Sequence, residues 1–109
     1  LLYTFLATKV TYFNMIYQLA NKLEMNYSNL LSGICSDKRI GHSHTNVPGP
    51  DNDFGFGGTC FPKDINALIS TYEKNDLNCD ILKEIWEYNK KIRTNWDWAN
   101  SKSAVYNGD

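Results

Sequence analysis

The chain has 109 residues, enough for one domain with a single modest core. With 42% hydrophobic and 21% charged residues it has a globular composition, and a net charge of -1 offers neither a basic footprint for nucleic acid nor a polybasic patch for a membrane surface. No apolar run approaches the ~20 residues that span a bilayer, and no signal-peptide or lipidation pattern is written in these residues.

In chain order, Leu2, Leu6, Val10, Phe13, Ile16 or Tyr17, Ala20 and Leu23 recur at three- and four-residue steps and predict a helix over 2–24. Thr4, Thr8, Thr11, Gln18 and Asn21 fall on its other face. At ~1.5 Å per residue it is about 35 Å long, a spine or a dimer contact. The pattern is already running at Leu2, with no Met and no cap before it, so the expectation is a piece of a longer protein. Ser28 is a good N-cap for a second helix carrying Leu30, Leu31 and Ile34. Residues 36–60 hold Gly41, Gly49, Gly55, Gly57 and Gly58, together with Pro48, Pro50, Asp51, Asn52 and Asp53. A loop of this length, with aromatics among its glycines, reads as functional. Pro62 opens a third helix with Ile65, Leu68, Ile69 and Tyr72 on one face, broken at Asn75-Asp76. Asp80 caps a last helix carrying Ile81, Leu82, Ile85, Trp86, Ile92 and Trp96. A polar tail without period follows from Asn100. With no strand pattern, the predicted fold is all-α.

The segment richest in chemistry is Gly55-Phe56-Gly57-Gly58-Thr59-Cys60-Phe61-Pro62-Lys63-Asp64. Glycines let the backbone approach a ligand closely. A cysteine just before a Pro-initiated helix sits at the positive end of the helix dipole, which favours the nucleophilic thiolate. Lys63 adds positive charge, and Asp64 can hold a water or orient a donor. By residue type alone a cysteine is more often a small buried hydrophobe. Cys35 and Cys79 are read that way, and three widely spaced cysteines argue against a disulfide framework and for a reduced, cytoplasmic setting. His42 and His44 lack the spacing of a zinc site, so no metal is expected. Trp86, Trp96 and Trp98 read as core or interface anchors, and Lys90-Lys91 as a solvated face.

The Gly55–Asp64 segment resembles the signature of the UDP-glucose/GDP-mannose dehydrogenase family, with the UDP-glucose branch the better match. Phe5-Leu6-Ala7-Thr8-Lys9-Val10 followed by Phe13-Asn14 resembles that family's long central helix, Asp37-Lys38-Arg39-Ile40-Gly41 the segment before its active-site loop, and Asn89 and Arg93 also fit. The resemblance covers roughly residues 1–98 and leaves 99–109 as a tail. It implies a central, helical dimerisation domain, like the 6-phosphogluconate dehydrogenase C-terminal-like domain, between NAD-binding and UDP-sugar-binding domains that lie outside this chain.

The resemblance further implies oxidation of the C6 alcohol of a nucleotide sugar to the uronic acid in two NAD-dependent steps. Cys60 would carry the thiohemiacetal and thioester, and Asp64 would organise the hydrolytic water. Phe56, Gly57, Arg39 (from the partner of a homodimer) and His44 would meet the substrate, and Lys63 the cofactor. This sequence departs from the family in three ways. The lysine expected ahead of the Phe-Leu-Ala block would fall before Leu1, and the following asparagine position reads Tyr3. The Gly-x-Gly-x-x-Gly cofactor fingerprint is also absent, so the segment alone is expected to be inactive. The alternative is a stand-alone helical dimerisation or binding module without activity. The intact Cys60–Asp64 motif favours the enzyme.

Overall fold

The computed structural model describes residues 1–100. Within them every regular element is helical: α1 (Leu2–Lys22), α2 (Tyr27–Cys35), α3 (Cys60–Lys74) and α4 (Asp80–Ile92), followed by a short 3-10 turn, Asp97–Asn100. There is no strand among the described residues, as the periodicity predicts.

The helix ends differ from expectation for local reasons. The first helix stops at Lys22 because Glu24 takes a left-handed φ of 56°. The Met25 N–H then donates to Ala20 O at 2.8 Å and the Glu24 N–H to Asn21 O at 3.2 Å, the paired bonds that close a helix end. Asn26, not Ser28, caps α2, its side chain accepting from Asn29 N at 2.9 Å. The third helix begins at Cys60, two residues ahead of Pro62, with Thr59 as an N-cap that makes no side-chain bond. Cys79 rather than Asp80 holds the cap position of α4, again without a side-chain bond. α4 ends at Ile92, where Arg93 turns extended (ψ 136°), so Trp96 lies beyond the helix.

The core is built where α3 and α4 pack across α1. Ala7, Phe56, Ile65, Ile69, Cys79, Ile85, Trp86 and Trp98 form one buried cluster. The Trp86 and Trp98 rings lie 5.0 Å apart, and Trp96 stacks on Trp98 at 5.7 Å. The reversal after Arg93, not helical spacing, brings the tryptophans together. Burying a large side chain of this kind contributes about 2–3 kcal/mol, and each aromatic pair about 1 kcal/mol more. Lys90, expected in solvent, lies over the Trp86 ring at 5.7 Å with its Nζ 2.9 Å from Glu87, whereas Lys91 is exposed. Cys35 and Cys79 are buried, as their reading as packing residues requires.

The face that α1 turns inward is only in part the expected apolar stripe: Phe13 and Ala20 are buried and Val10 packs on the core, but Leu2 and Leu23 are not. Thr4, Ala7, Thr11, Phe13, Asn14 and Ala20 are buried, while Leu2, Phe5, Tyr12, Met15, Leu19 and Leu23 are exposed. Small and hydrogen-bonding residues let α3 and α4 approach the α1 backbone closely; Thr4 and Thr11 bond back to Leu1 O and Ala7 O. Apart from Phe13, the bulkiest residues are left facing outward.

Candidate functional site

The loop between α2 and α3 is held by side chains from other elements rather than by a ladder of its own. Asn14 Oδ1, from α1, accepts the Gly55 N–H at 3.0 Å. Asn89, from α4, accepts from Phe56 N at 2.8 Å and donates to Phe56 O at 2.9 Å. Asp53 accepts from Phe54 N, Thr94 N and Asn95 N. Asp97 Oδ1 accepts from Gly58 N at 2.9 Å. Nearer the start of the loop, Tyr27 Oη donates to Thr45 O at 2.6 Å and Lys9 Nζ to Ile40 O at 2.7 Å. Burial, with a smaller contribution from Cys35, pushes the Tyr27 pKa up to about 12.

Arg93 is the hub. Its side chain is 1% exposed, yet its guanidinium meets Asp51 at 2.8 Å and Asp53 and Asp97 at 3.4 Å each. It also donates to Asn95 O at 3.0 Å and Phe54 O at 3.3 Å. A buried guanidinium is tolerable only when its fork is filled in this way. Burial pushes the Asp53 carboxyl up, but the hydrogen bonds from Asn95, Phe54 and Thr94 outweigh it and leave the pKa below the ordinary carboxylate value. Gly57 is a glycine because a Cβ there would run into the Arg93 guanidinium, and Gly55 because one would run into Asn89 Oδ1.

These anchors shape a cavity of about 440 Å³ lined by Val10, His44, Phe56, Gly57, Phe61 and Cys60 among others, with Asp51 and Asp97 on its wall. Cys60 is exposed in it, in the first turn of α3, where the unpaired N–H groups of the helix end present positive partial charge. Phe61 stands between three rings: Tyr3 at 5.6 Å, His44 at 5.8 Å and Phe56 at 6.2 Å. A second hollow of about 310 Å³ adjoins the first, sharing Val10, His44, Pro50 and Gly55 and adding Asn46, Pro48 and Gly49.

Cys60, His44, Phe56 and Gly57 therefore share one cavity. Asp64 lies four residues on from Cys60 along α3, at the spacing of helical neighbours, and lines a separate hollow with Leu1 and Thr4. Lys63 is exposed outside the cavity wall. The Arg39 side chain is 89% exposed and, among the described residues, is bonded only to Asp37, at 2.7 Å. Among the described residues, no three His, Cys, Asp or Glu side chains gather where they could hold a metal ion, and no helix is long and apolar enough to cross a membrane.

Motif reading gave no role to Asn14, Asp51, Asp53 or Asp97, the residues that hold the loop. A local signal was present only for Asp51 and Asp53, acidic residues just ahead of a glycine-rich run; Asn14 and Asp97 carried none.

The central-domain model of the UDP-glucose/GDP-mannose dehydrogenase family matches residues 2–91. Similar proteins include the UDP-glucose 6-dehydrogenase of Rickettsia prowazekii (strain Madrid E), 42% identical over 80% of this chain and 19% of that protein. The UDP-glucose 6-dehydrogenase of Rhizobium meliloti (strain 1021) is 42% identical over 66% of this chain and 15% of its own length. That of Bacillus subtilis (strain 168) is 33% identical over 78% and 18%. The chain spans about a fifth of the length of the curated relatives it matches. With a family model covering most of its length and a helical fold to match, this chain belongs to the UDP-glucose/GDP-mannose dehydrogenase family, as its central domain.

Proposed function

We propose that this chain is the central segment of an NAD-dependent, cytoplasmic nucleotide-sugar 6-dehydrogenase that takes UDP-glucose or a related sugar nucleotide to the uronic acid, with Cys60 as the nucleophile. One observation carries the reading: the exposed Cys60 thiol stands in the first turn of α3 at the wall of a cavity shared with His44, Phe56 and Gly57. The two adjoining hollows suit a sugar beside the sulfur and the rest of the nucleotide beyond His44 and Pro50.

In this reading the Cys60 sulfur adds to the C6 carbonyl of the aldehyde-level intermediate to give a thiohemiacetal. After oxidation the adduct is a thioester, from which water releases the carboxylate and restores the thiol. The described residues contain no strand–turn–helix cradle for a dinucleotide, so of these residues Lys63 alone would meet NAD, whose main site would lie outside them. Asp64, a helical turn from Cys60, organises the hydrolytic water, and Lys63, near the same helix end, serves the cofactor side. Arg39, extended from the surface, reaches the site of a second copy. That second copy seats on the outward stripe of α1, where Phe5, Tyr12, Met15, Leu19 and Leu23 otherwise stand in solvent.

The test has two arms. Limited alkylation of the chain near neutral pH, followed by peptide mapping, is expected to label Cys60 well ahead of the buried Cys35 and Cys79. In the full-length protein, Cys60→Ala is expected to abolish uronic acid formation while sugar-nucleotide binding persists. Faster labelling of either buried cysteine, or continued turnover by Cys60→Ala, refutes the assignment. For the second copy, sedimentation should show a dimer that Leu19→Lys dissociates; a monomer in the full-length protein counts against it.

A further inference from the structure

The first turn of α3 lacks a clamp of its own. Thr59, at the cap position, makes no side-chain bond, and Pro62, two residues after Cys60, has no N–H to give. Gly58 precedes this turn with φ +76° and open space around it, so its backbone is a pivot between the loop and the sulfur. The Gly58 N–H is held at 2.9 Å by Asp97 Oδ1, which reaches across from beyond the end of α4. Asp97 is in turn 3.4 Å from the Arg93 guanidinium. That guanidinium is buried against Trp98, 5.8 Å from its ring, and lies so close to Gly57 that no side chain fits between them. The order is therefore Trp98, Arg93, Asp97, Gly58 and then the turn that carries Cys60.

We infer that Arg93 and Asp97 are positioning residues for Cys60. Asp97, oriented by Arg93, holds from a distant segment the Gly58 N–H, one residue ahead of the uncapped Thr59 and two ahead of Cys60, and so fixes the sulfur relative to the Phe56–Gly57 wall of the cavity. A carboxylate near a helix N-terminus is electrostatically favourable there, and its pairing with Arg93 keeps it in one orientation. The placement matters because displacement of a reacting atom by about 1 Å can cost on the order of a hundredfold in rate. The inference rests on the reading of Cys60 as the reactive group.

Three single variants and one double variant test it by amide hydrogen exchange and Cys60 alkylation. Asp97→Asn keeps an oxygen acceptor for the Gly58 N–H, whereas Asp97→Ala keeps none. Asp97→Ala is expected to speed exchange at Gly58 by roughly tenfold and to change the Cys60 alkylation rate, leaving Ile69 and Ile85 protected. Asp97→Asn is expected to stay within about threefold of the parent on both measures. Arg93→Lys, which loses the planar fork, should raise exchange at Gly58, and adding Asp97→Ala to it should raise it little further, because both act on one bond. Equal behaviour of the Ala and Asn variants overturns the inference. So does an exchange increase spread evenly to Ile69 and Ile85, or global unfolding of Asp97→Ala, since Asp97 would then serve the whole fold. Exchange at these amides does not depend on sulfur chemistry, so this result stands apart from the turnover test of Cys60→Ala.

Discussion

The Asn89 side-chain amide brackets a single peptide unit, accepting from Phe56 N at 2.8 Å and donating to Phe56 O at 2.9 Å. It is 0% exposed, in the last turn of α4, and Phe56 is 4% exposed. This pair attaches the cavity wall to the helical core.

Asn89→Ala strands a buried N–H and a buried carbonyl at once. The expected loss is about 3 kcal/mol, read from the denaturant midpoint. Asn89→Asp keeps the acceptor but turns an oxygen toward Phe56 O, so it should fare little better near neutral pH. A loss below about 1 kcal/mol in either variant would mean that water replaces the amide.

The glycines should separate cleanly under substitution by alanine. In Gly57→Ala the new Cβ would lie 2.6 Å from Arg93 Cζ and 2.7 Å from Asp97 Oδ1, so a loss of about 3 kcal/mol or more is expected. Gly58→Ala meets no atom but carries a left-handed φ, at about 1 kcal/mol. Gly33→Ala, inside α2 and in open space, should stabilise by up to about 1 kcal/mol. Thermal unfolding of the three variants checks the order.

Acid should loosen the loop through Asp53. Its folded pKa lies below the ordinary carboxylate value, so the unfolded chain takes up its proton first. The stabilisation is complete above the unfolded value, about 4, and is lost as pH falls through the lower folded value. Denaturant midpoints measured downward from neutral pH should decline in this window for the parent and decline less for Asp53→Asn, which starts lower.

On the alkaline side, Tyr27 is raised from 10.0 to about 12, by burial first and by Cys35 second. Its contribution to stability is whole below the unfolded value of about 10 and disappears as pH climbs through about 12. Absorbance titration of the tyrosines should show Tyr27 among the last to ionise, with Tyr88, which burial also raises. Tyr27→Phe should remove the step near about 12.

The helices were legible because each repeats apolar residues with a period near 3.6, and the Cys60 segment because glycines, a cysteine and a proline are chemically distinctive. The inward face of α1 was not. Matching bulk to burial assigns Leu2 and Leu23 inside and Thr4 and Thr11 outside, but close helix approach favours the small residues. The end of α4 was missed because Arg93 leaves the helix to fill a charge pocket made by Asp51, Asp53 and Asp97, a long-range demand with no local signal. The start of α3 at Cys60 carried no cap signal: Thr59 makes no side-chain bond, and the Gly58 N–H ahead of it is held by Asp97, 39 residues from Gly58.

Between Asp53 and Gly58 the backbone is tied in turn to Thr94 and Asn95, to Asn14, to Asn89 and to Asp97, with scarcely a residue free between ties. Its length is therefore quantised: one inserted or deleted residue would push every later tie out of step with a partner that cannot slide. The stretch around Lys38–Ser43 is fastened to α1 only by the exposed Lys9–Ile40 bond and can absorb added residues as slack. Natural length variation in this loop should collect there, ahead of Thr45, and stop short of Asp53.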